Sequence, residues 1–330
     1  MIVRSVWGTI LIVLSGLLAP VSWAGDYSGR AELDEVVASV AAQGVDPDWA
    51  LEVLEAATRQ QSILDAIARP AEKTKPWHEY RKIFLTQQRI TEGAAFWDAH
   101  APVLAEVAAQ TGVPAAVIVS IIGVETYYGR ITGSYRVIDA LSTLAFDYPK
   151  RAPFFRSELQ HFLILTWESG KPPLALKGSY AGAMGYGQFM PSSYRNYARS
   201  FDQVSAPDIW DNPADAISSV GHYLRAHGWS AGESVIVSAR FDGEDLSLFD
   251  AGLRPSVSVQ EAGASGLEPL IAVDADMMVT PLRMEQTDGM EYWLGLDNFY
   301  VITRYNHSAM YALAVWQLSE AIRATRGDTL

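Results

Sequence analysis

Cysteine is absent from this chain of 330 residues. A thiol nucleophile, a structural disulfide and the lipid-bearing cysteine of a lipoprotein are therefore excluded. The sequence also lacks a G-x-S-x-G elbow, an H-E-x-x-H pair and the Gly-Lys-Ser/Thr ending of a phosphate loop. His222 and His227 are five residues apart, which places them on different faces of a helix. We therefore expect no zinc site and no nucleotide-binding loop.

Positive charge is scarce, with 25 Lys and Arg residues against 38 Asp and Glu residues. An acidic surface repels phosphate backbones, so we expect no nucleic-acid partner. The first 24 residues contain one arginine, an apolar stretch and the small-x-small ending Ser22-Trp23-Ala24, which is the layout of a cleavable signal peptide. The apolar stretch is shorter than the ~20 residues of a membrane span, so a retained anchor is the weaker alternative. We predict an exported protein that is not a lipoprotein.

Helix signals dominate the rest of the chain. Asp46-Pro47 predicts the start of a helix, and Gly112 predicts the end of another. Pro114 predicts the start of the next helix and Gly129 its end. These capping patterns predict several consecutive helices before residue 130.

The C-terminal half mixes helix and strand signals. Asn212-Pro213 predicts a helix start, and Ser308 caps the last helix. The buried face of that last helix is predicted to carry Tyr311, Val315, Leu318 and Ile322. Between residues 230 and 296, "VIVSARF", "SVSVQEA" and "LRMEQTDGMEYWL" read as strands, with Asp288-Gly289 as a hairpin turn. The fold class is therefore α+β, mainly α.

One glutamate follows an apolar run. In "IIGVETYYGR", Ile118, Ile121, Ile122 and Glu125 lie at i, i+3, i+4 and i+7, which is one face of a helix. An ionised carboxylate is costly to bury, so it must be paired, reach a cleft or take up a proton. A glutamic acid whose pKa is raised by an apolar pocket is typical of glycoside cleavage, where it protonates the leaving oxygen.

A glycine-rich segment, residues 177–194, reads "KGSYAGAMGYGQFMPSSY". Glycine at this density lets backbone approach a ligand closely, and Gln188 could hydrogen-bond a polar substrate such as a sugar N-acetyl group. The alternative is a simple connection between helices. Tyrosine (15) and tryptophan (10) are plentiful, and such rings either form the core or stack on sugars.

Six segments in chain order resemble the membrane-bound lytic murein transglycosylase B family: "GVETYYGR", "VIDALSTLAFDYPKRAPFF", "LKGSYAGAMGYGQFMPSSY", "IWDNPADAI", "HGW" and "NFYVITRYNHSAMYALAVWQL". The resemblance runs from about residue 77 to the C terminus. It implies a peptidoglycan lytic transglycosylase with Glu125 as the single catalytic acid/base. That enzyme would cleave the bond between N-acetylmuramic acid and N-acetylglucosamine and leave 1,6-anhydromuramyl ends.

The resemblance also implies a lysozyme-like helical catalytic core with an N-terminal helical region and a small β-rich insertion. After the signal peptide, we expect an N-terminal helical region at 25–95 and the catalytic core at 96–228. A small β-containing region would follow at 229–296. The C-terminal segment and helix at 297–330 would complete the core.

The substrate-binding residues implied by the resemblance are Tyr80, Lys150, Arg151, Ser179, Met184, Gln188, Phe189, Tyr223, Tyr305, Asn306 and Tyr311. Ser179 and Gln188 would be hydrogen-bonding groups near Glu125, and Lys150-Arg151 would suit the carboxylates of the stem peptide. The tyrosines and Asn306 would face the glycan, with packing as the alternative for each tyrosine. Met184 and Phe189 would shape the same wall.

The implied partner is the peptidoglycan glycan strand. No cofactor is expected, and we expect a monomer located in the periplasm. Proteins of cell-wall synthesis or of envelope machines are further partners that the sequence leaves open.

Two features depart from the family. Some members carry an acidic calcium loop where this chain reads "SFDQVSAPDIWD" at 200–211, with Ser200 and Val204 at liganding positions and Ser205 at the turn glycine. A loop of the EF-hand type needs several carboxylates and that glycine, so calcium binding should be weak or absent. The missing lipid anchor indicates a soluble periplasmic relative.

Two rival functions remain open from the sequence. A hydrolytic lysozyme or chitinase would activate a water, usually with a second carboxylate, for which Asp139 and Asp147 are candidates. A non-catalytic glycan-binding module would keep the aromatic rings without needing an acid, and Glu125 on an apolar stripe argues against it. Products distinguish all three: anhydromuropeptides, reducing muropeptides or no release.

Overall fold

The computed structural model describes residues 25–68 and 75–327, so the predicted signal peptide at 1–24 lies outside the described residues. The helices are α1 (Ala31–Ala41), α2 (Pro47–Glu55), α3 (Gln61–Ala68), α4 (Trp77–Phe84), α5 (Gln87–Ala99), α6 (Ala101–Thr111), α7 (Ala115–Thr126), α8 (Val137–Asp147), α9 (Ala152–Ser169), α10 (Pro191–Tyr197), α11 (Pro213–Ala226), α12 (Val259–Ala264), α13 (Asp297–Tyr305) and α14 (Ala309–Arg326). The strands are β1 (Tyr135–Arg136), β2 (Lys177–Gly178), β3 (Ile236–Phe241), β4 (Val257–Ser258), β5 (Leu267–Pro269), β6 (Met278–Gln286) and β7 (Gly289–Gly295). The α+β, mainly α class is confirmed.

Helix α7 is the centre of the helical core. Nine of its 12 residues are buried, because α5, α6, α11 and α14 all pack around it. A helix that is apolar on every side is typical of the interior of a large domain. In the described ranges no single helix is long and apolar enough to cross a membrane, and α6 with α7 passes that test only as a pair bent by 113°.

The N-terminal helices dock on α8 and α9. Helix α1 contacts α9, and α3 contacts α8. Polar groups fix this contact: the Asp139 carboxylate accepts from the Thr58 backbone N–H at 2.9 Å, and Arg30 Nη1 lies 3.0 Å from Asp147 Oδ1. The start of α8 is fixed as well, because β1 pairs with β2 in antiparallel register, Tyr135 opposite Gly178.

A five-stranded antiparallel sheet with the order β4-β6-β7-β3-β5 lies between α11 and α13 in the chain. It has its own apolar cluster, which includes Val237, Leu267, Val279 and Leu294. Strand β6 contacts α4, so the sheet touches the helical part at the N-terminal side of the core.

Most predicted helix ends are confirmed. The side chains of Asp46, Asn212 and Ser308 each accept a backbone N–H at the start of α2, α11 and α14, which satisfies a donor that the helix itself cannot. Gly112 follows α6 with φ of 73°, the left-handed conformation that glycine adopts without strain.

The predicted end of α7 at Gly129 is wrong. The helix ends at Thr126, and Tyr127 forms the left-handed cap with φ 54°. Capping by a non-glycine residue is uncommon because its Cβ crowds the backbone. The left-handed cap therefore lies two residues before the predicted glycine.

Two β predictions also need correction. Only Val257–Ser258 of "SVSVQEA" is a strand, because Ser258 and Glu261 form a capping box that starts α12. The hairpin turn lies at Thr287-Asp288, since Gln286 pairs with Gly289. Gly289 is thus the first residue of β7.

Candidate active site

Glu125 lies in the last turn of α7 and is half-buried. Its Oε1 accepts a hydrogen bond from Tyr311 Oη, at 2.6 Å, from the first turn of α14. Burial raises the pKa of Glu125 to about 7, and the hydrogen bond from Tyr311 opposes that shift because it favours the ionised form. The carboxyl group is therefore able to give up and take back a proton near neutral pH.

The backbone after Glu125 is held in an unusual conformation. Tyr127 and Tyr128 both have positive φ, 54° and 62°. Thr126 fixes this turn, since its Oγ1 accepts from the Gly129 N–H at 3.0 Å and donates to the Tyr186 carbonyl at 2.8 Å. The end of α7 is thereby bonded directly to the glycine-rich segment. Thr126 was missed by the sequence reasoning, and its place directly after Glu125 was the only signal for it.

The glycine-rich segment folds back on itself beside Glu125. Met184 and Phe189 exchange two backbone hydrogen bonds of 2.9 Å each, which close a tight turn. Tyr305 Oη donates to the Gly187 carbonyl at 2.6 Å, and a Cβ at position 187 would lie 2.8 Å from that Oη. Only glycine therefore allows α13 to approach the segment this closely.

Ser179 bonds within the glycine-rich segment, and Gln188 bonds both within it and to the loop after α7. Gln188 Nε2 donates to the carbonyls of Thr132 and Gly185 at 3.1 and 3.0 Å, and Ser179 Oγ accepts from the Ala183 N–H at 3.1 Å. Because its amide donors are engaged, Gln188 can offer a substrate its Oε1 as an acceptor. Both side chains are half-buried, and their binding role stays a prediction.

Three tyrosines surround the Glu125 carboxyl. Burial raises the pKa of Tyr305 and of Tyr311 well above the ordinary value, and the charge of Glu125 raises each further. Tyr80, which is half-buried, has its pKa raised by the same two causes in the same order. All three rings thus stay neutral, and their hydroxyls remain hydrogen-bond donors.

Most of the remaining predicted residues are buried behind the side chains that line the site. Tyr223 is 8% exposed, donates to the Arg304 carbonyl at 2.6 Å and packs edge-on against Tyr305 at 4.8 Å between ring centroids. Met184 is fully buried and Phe189 is 3% exposed. These three side chains support the wall from behind, whereas Asn306 is exposed at the end of α13.

Lys150 and Arg151 are exposed just beyond the C-terminal end of α8. The Arg151 guanidinium lies 4.4 Å from the centroid of the Phe154 ring. The opposite, N-terminal end of α8 follows β1, which pairs with the glycine-rich segment. Because a helix of this length spans roughly 16 Å, the two basic residues lie about that far from the segment's paired strand. Within the described part of the chain, neither Lys150 nor Arg151 contacts a residue that surrounds Glu125. Their binding role stays a prediction.

The two candidate second carboxylates are engaged elsewhere. Asp139 is 4% exposed and binds Arg136 through both oxygens at 2.7 Å. Asp147 pairs with Arg30 at 3.0 Å and with Arg59 at 3.2 Å. Both carboxylates hold α8 against the N-terminal helices rather than facing Glu125.

Two carboxylates in and beside the segment 200–211, those of Asp202 and Asp215, already accept hydrogen bonds from the protein. Asp202 Oδ1 accepts from Ser200 Oγ and from the Val204 N–H, and these bonds lower the pKa of Asp202 to about 2. The buried Asp215 carboxylate accepts the N–H groups of Phe201 and Asp208 at 2.8 and 2.7 Å. A calcium ion needs six to eight oxygen ligands, and these two engaged carboxylates do not supply them, so the expectation of weak or absent calcium binding stays a prediction. In the described ranges, no group of three or more His, Asp or Glu side chains is arranged so that it could hold a metal ion.

Comparison with known proteins gives consistent matches. The sequence profile described as Transglycosylase SLT domain matches residues 28–320. The membrane-bound lytic murein transglycosylase B of Escherichia coli K12 is 41% identical over 312 residues, 92% of this chain and 85% of that protein. The lytic transglycosylase SltB1 of Pseudomonas aeruginosa, in a catenated form, is 51% identical with a TM-score of 0.87, over 92% of this chain and all of that one. SltB3 of the same species, in complex with NAG-anhNAM-pentapeptide, is 32% identical with a TM-score of 0.79, over 88% and 78% of the two chains.

Proposed function

Because this chain belongs to the transglycosylase SLT domain family and is a peptidoglycan lytic transglycosylase with a lysozyme-like core, we propose that Glu125 is its single catalytic acid/base. The observation that supports this assignment is the half-buried carboxyl at the end of α7, whose pKa is raised to about 7. A group with this pKa is partly protonated at neutral pH, as a general acid must be. The proposed substrate is the peptidoglycan glycan strand, which is cleaved at the bond between N-acetylmuramic acid and N-acetylglucosamine.

In the first step, protonated Glu125 gives its proton to the glycosidic oxygen while the bond from that oxygen to the muramyl C1 breaks. N-Acetylglucosamine leaves with the proton, and positive charge develops at C1. Glu125 is left as a carboxylate, and the hydrogen bond from Tyr311 stabilises that form. General acid catalysis of this kind contributes about 10²–10⁴-fold.

In the second step, the muramyl C6 hydroxyl attacks C1 and its proton passes to the Glu125 carboxylate. The product carries a 1,6-anhydromuramyl end, and Glu125 is again protonated. The attacking hydroxyl belongs to the same sugar ring, so it has a large effective concentration and no second enzyme carboxylate is required. This agrees with the structure, in which Asp139 and Asp147 are bound to arginines.

The glycine-rich segment would hold the sugar next to the glycosidic oxygen that Glu125 protonates. We assign Gln188 Oε1 as an acceptor for an N-acetyl N–H, and Asn306, exposed beside Tyr305, as a hydrogen-bonding partner of the glycan. Tyr80 and Tyr305 would pack their rings against the sugar faces near the carboxyl. Ser179 would contribute its hydroxyl at the edge of the same wall.

The proposed setting is the periplasm, reached by a cleavable signal at residues 1–24, without a lipid anchor because the chain has no cysteine. SltB3 was solved in complex with NAG-anhNAM-pentapeptide, which carries a peptide. By analogy, we propose that this chain binds glycan strands that carry their peptides. A monomer suffices for the mechanism, since every group used in it comes from one chain.

Mass spectrometry of digested peptidoglycan tests this function. Wild-type protein should release 1,6-anhydromuropeptides. Glu125→Gln keeps the shape and the acceptor for Tyr311 but removes the titrating proton, so it should fold and lose at least about 10²-fold in turnover. Reducing muramyl ends from the wild type would support a hydrolase, and more than a tenth of wild-type activity in Glu125→Gln would refute the assignment.

A further inference from the structure

The side chain of Tyr128 is inserted between two helices, α5 and α7. A Cβ at Gly93 of α5 would lie 2.5 Å from Tyr128 Oη, and a Cβ at Gly123 of α7 would lie 2.6 Å from Cε1 and Oη of the same residue. Contacts this short are not tolerated, so each helix needs glycine where it faces the ring. The two glycines form a slot that fits the tyrosine, and we call this arrangement the Tyr128 wedge.

Two further contacts hold the ring in this slot. Tyr128 Oη donates to the Arg89 carbonyl of α5 at 2.8 Å. The ring stacks on Phe96 of the same helix, with 5.6 Å between ring centroids and an interplanar angle of 29°. Burial raises the pKa of Tyr128, so its hydroxyl stays protonated and remains a donor. The residue that follows α7 is thus tied to α5.

The wedge is reached only through the strained turn after α7. Tyr127 and Tyr128 have φ of 54° and 62°, and this left-handed turn carries the Tyr128 ring back over Gly123 of the helix that the chain has just left. Side chains other than glycine rarely adopt such φ values. The guanidinium groups of Arg89 and Arg130 lie 4.5 and 4.1 Å from the centroid of the Tyr127 ring, which stabilises the turn by cation–π attraction. Contacts of both rings therefore offset the strain.

Glu125 lies in the stretch of backbone that the wedge closes. Gly123 comes before it and Tyr128 after it, and the ring of one rests on the backbone of the other. The Tyr127 and Tyr128 N–H groups donate to the Gly123 and Ile122 carbonyls at 3.1 and 3.3 Å. Displacement of the Tyr128 ring would release this turn and, with it, the orientation of the Glu125 side chain.

We propose that Tyr128 is a positioning residue for the reaction, because its ring holds the last turn of α7 so that the Glu125 carboxyl faces the substrate. This rests on the proposed function, in which Glu125 is the group that transfers the proton. The Tyr128 hydroxyl is engaged by the Arg89 carbonyl, so the residue acts through the backbone of the turn and not on the sugar.

Gly123→Ala tests the slot. Alanine is favoured over glycine in a helix interior, so this change by itself should raise the melting temperature. Because the added Cβ expels the Tyr128 ring, we expect the melting temperature to fall instead. We also expect kcat to fall about 10- to 100-fold with KM within about twofold, since a misplaced catalytic group costs turnover. Gly263→Ala in α12 is the matched control: nothing lies within 4 Å of a Cβ there, so the melting temperature should rise and kcat should not change.

Tyr128→Phe tests the hydrogen bond and keeps the ring. Loss of the bond to Arg89 loosens the turn and lets water reach Glu125, so the pKa of Glu125 should fall towards its ordinary value of 4.5. The pH at which kcat/KM begins to fall on the alkaline side should therefore move down by about half a unit. The titratable side chains that face this carboxyl from the other elements stay the same in the variant, and they are Tyr80, Tyr305 and Tyr311.

Tyr27→Phe is the control for this variant. It also removes a buried tyrosine hydroxyl, which donates to Asp147 Oδ2 at 3.0 Å in the contact between the N-terminal residues and α8. It should lower the melting temperature, while kcat per folded molecule and the pH profile stay at their wild-type values. A residue that only stabilises the fold would behave as Tyr27 does.

The proposal is overturned if Gly123→Ala raises the melting temperature as Gly263→Ala does. It is also overturned if Gly123→Ala and Tyr128→Phe lose stability but keep the wild-type kcat and pH profile per folded molecule. If Gly123→Ala does not fold, the pH profile of Tyr128→Phe decides alone. The function of Glu125 is tested separately, by the anhydromuramyl ends that the wild type forms and by the inactivity of Glu125→Gln.

Discussion

Replacement of Glu125 by glutamine should make the protein more stable at high pH while abolishing its activity. Burial raises the pKa of Glu125 from 4.5 to about 7 in the folded state. Below pH 4.5 the group is protonated in both the folded and the unfolded chain, so the wild type keeps its full stability there. As the pH rises towards 7, the unfolded chain releases the proton and the folded chain does not, so wild-type stability is lost across this interval. A glutamine side chain cannot titrate, and the variant should not show this loss.

The size of the effect follows from the two pKa values. A difference of roughly 2.5 units corresponds to about 3.4 kcal/mol at 1.36 kcal/mol per unit. The side chain is only half-buried, and solvent screening reduces that figure to about 2 kcal/mol. For a chain of this size, such a gain raises the melting temperature by roughly 3 °C.

The assay is denaturant unfolding of both proteins at pH 4 and pH 8.5. At each pH, the free energy of unfolding of the wild type is subtracted from that of the variant. This difference should be about 2 kcal/mol larger at pH 8.5 than at pH 4. Glu244→Gln, which removes an exposed glutamate, should show no such pH-dependent gain. The reasoning fails if the difference between Glu125→Gln and wild type is the same at both pH values.

Three further predictions follow from the contacts. Tyr311→Phe removes the donor that favours the ionised form of Glu125, so the pH at which kcat/KM begins to fall on the alkaline side should rise by about one unit; an unchanged pH profile would contradict this. Asp139→Asn and Asp147→Asn should lower the melting temperature but leave kcat on folded protein within about tenfold, and a folded variant as inactive as Glu125→Gln would favour the lysozyme mechanism. The melting temperature should be the same in chelator and in millimolar calcium, because Asp202 and Asp215 already accept hydrogen bonds within the protein and the loop lacks the acidic ligands and turn glycine; a clear rise with calcium would show that the loop binds it.

The local features of this fold could be predicted from the sequence because their causes are local. Asp46, Asn212 and Ser308 each cap the helix that follows them, since a side-chain oxygen reaches a backbone N–H two or three residues away. The apolar spacing around Glu125 likewise indicated a buried helix with one carboxylate at its end. The capping box at Ser258 is equally local, and the β-branched residues around it hid the signal.

The chemistry of the site depends on contacts between residues that are far apart in the sequence. Tyr311 bonds to Glu125 across 186 positions, and Tyr305 bonds to Gly187 across 118. No periodicity or spacing encodes such pairs, because they arise only when α13 and α14 pack against α7 and the glycine-rich segment. The family resemblance predicted that the Tyr311 ring faces the glycan. Only the structure shows that the Tyr311 hydroxyl donates to the Glu125 carboxyl.

The end of α7 shows why local signals fail at the site itself. Gly129 would close a helix without strain, yet the chain leaves the helix at Tyr127 and places two tyrosines at positive φ, at a cost of the order of 1 kcal/mol or more for each. Tyr128 Oη donates to the Arg89 carbonyl at 2.8 Å, and Thr126 bonds to the glycine-rich segment. These tertiary bonds exist only if the helix ends early. The strained turn thus fixes Glu125 in the last helical turn, where its carboxyl group can face both Tyr311 and the substrate.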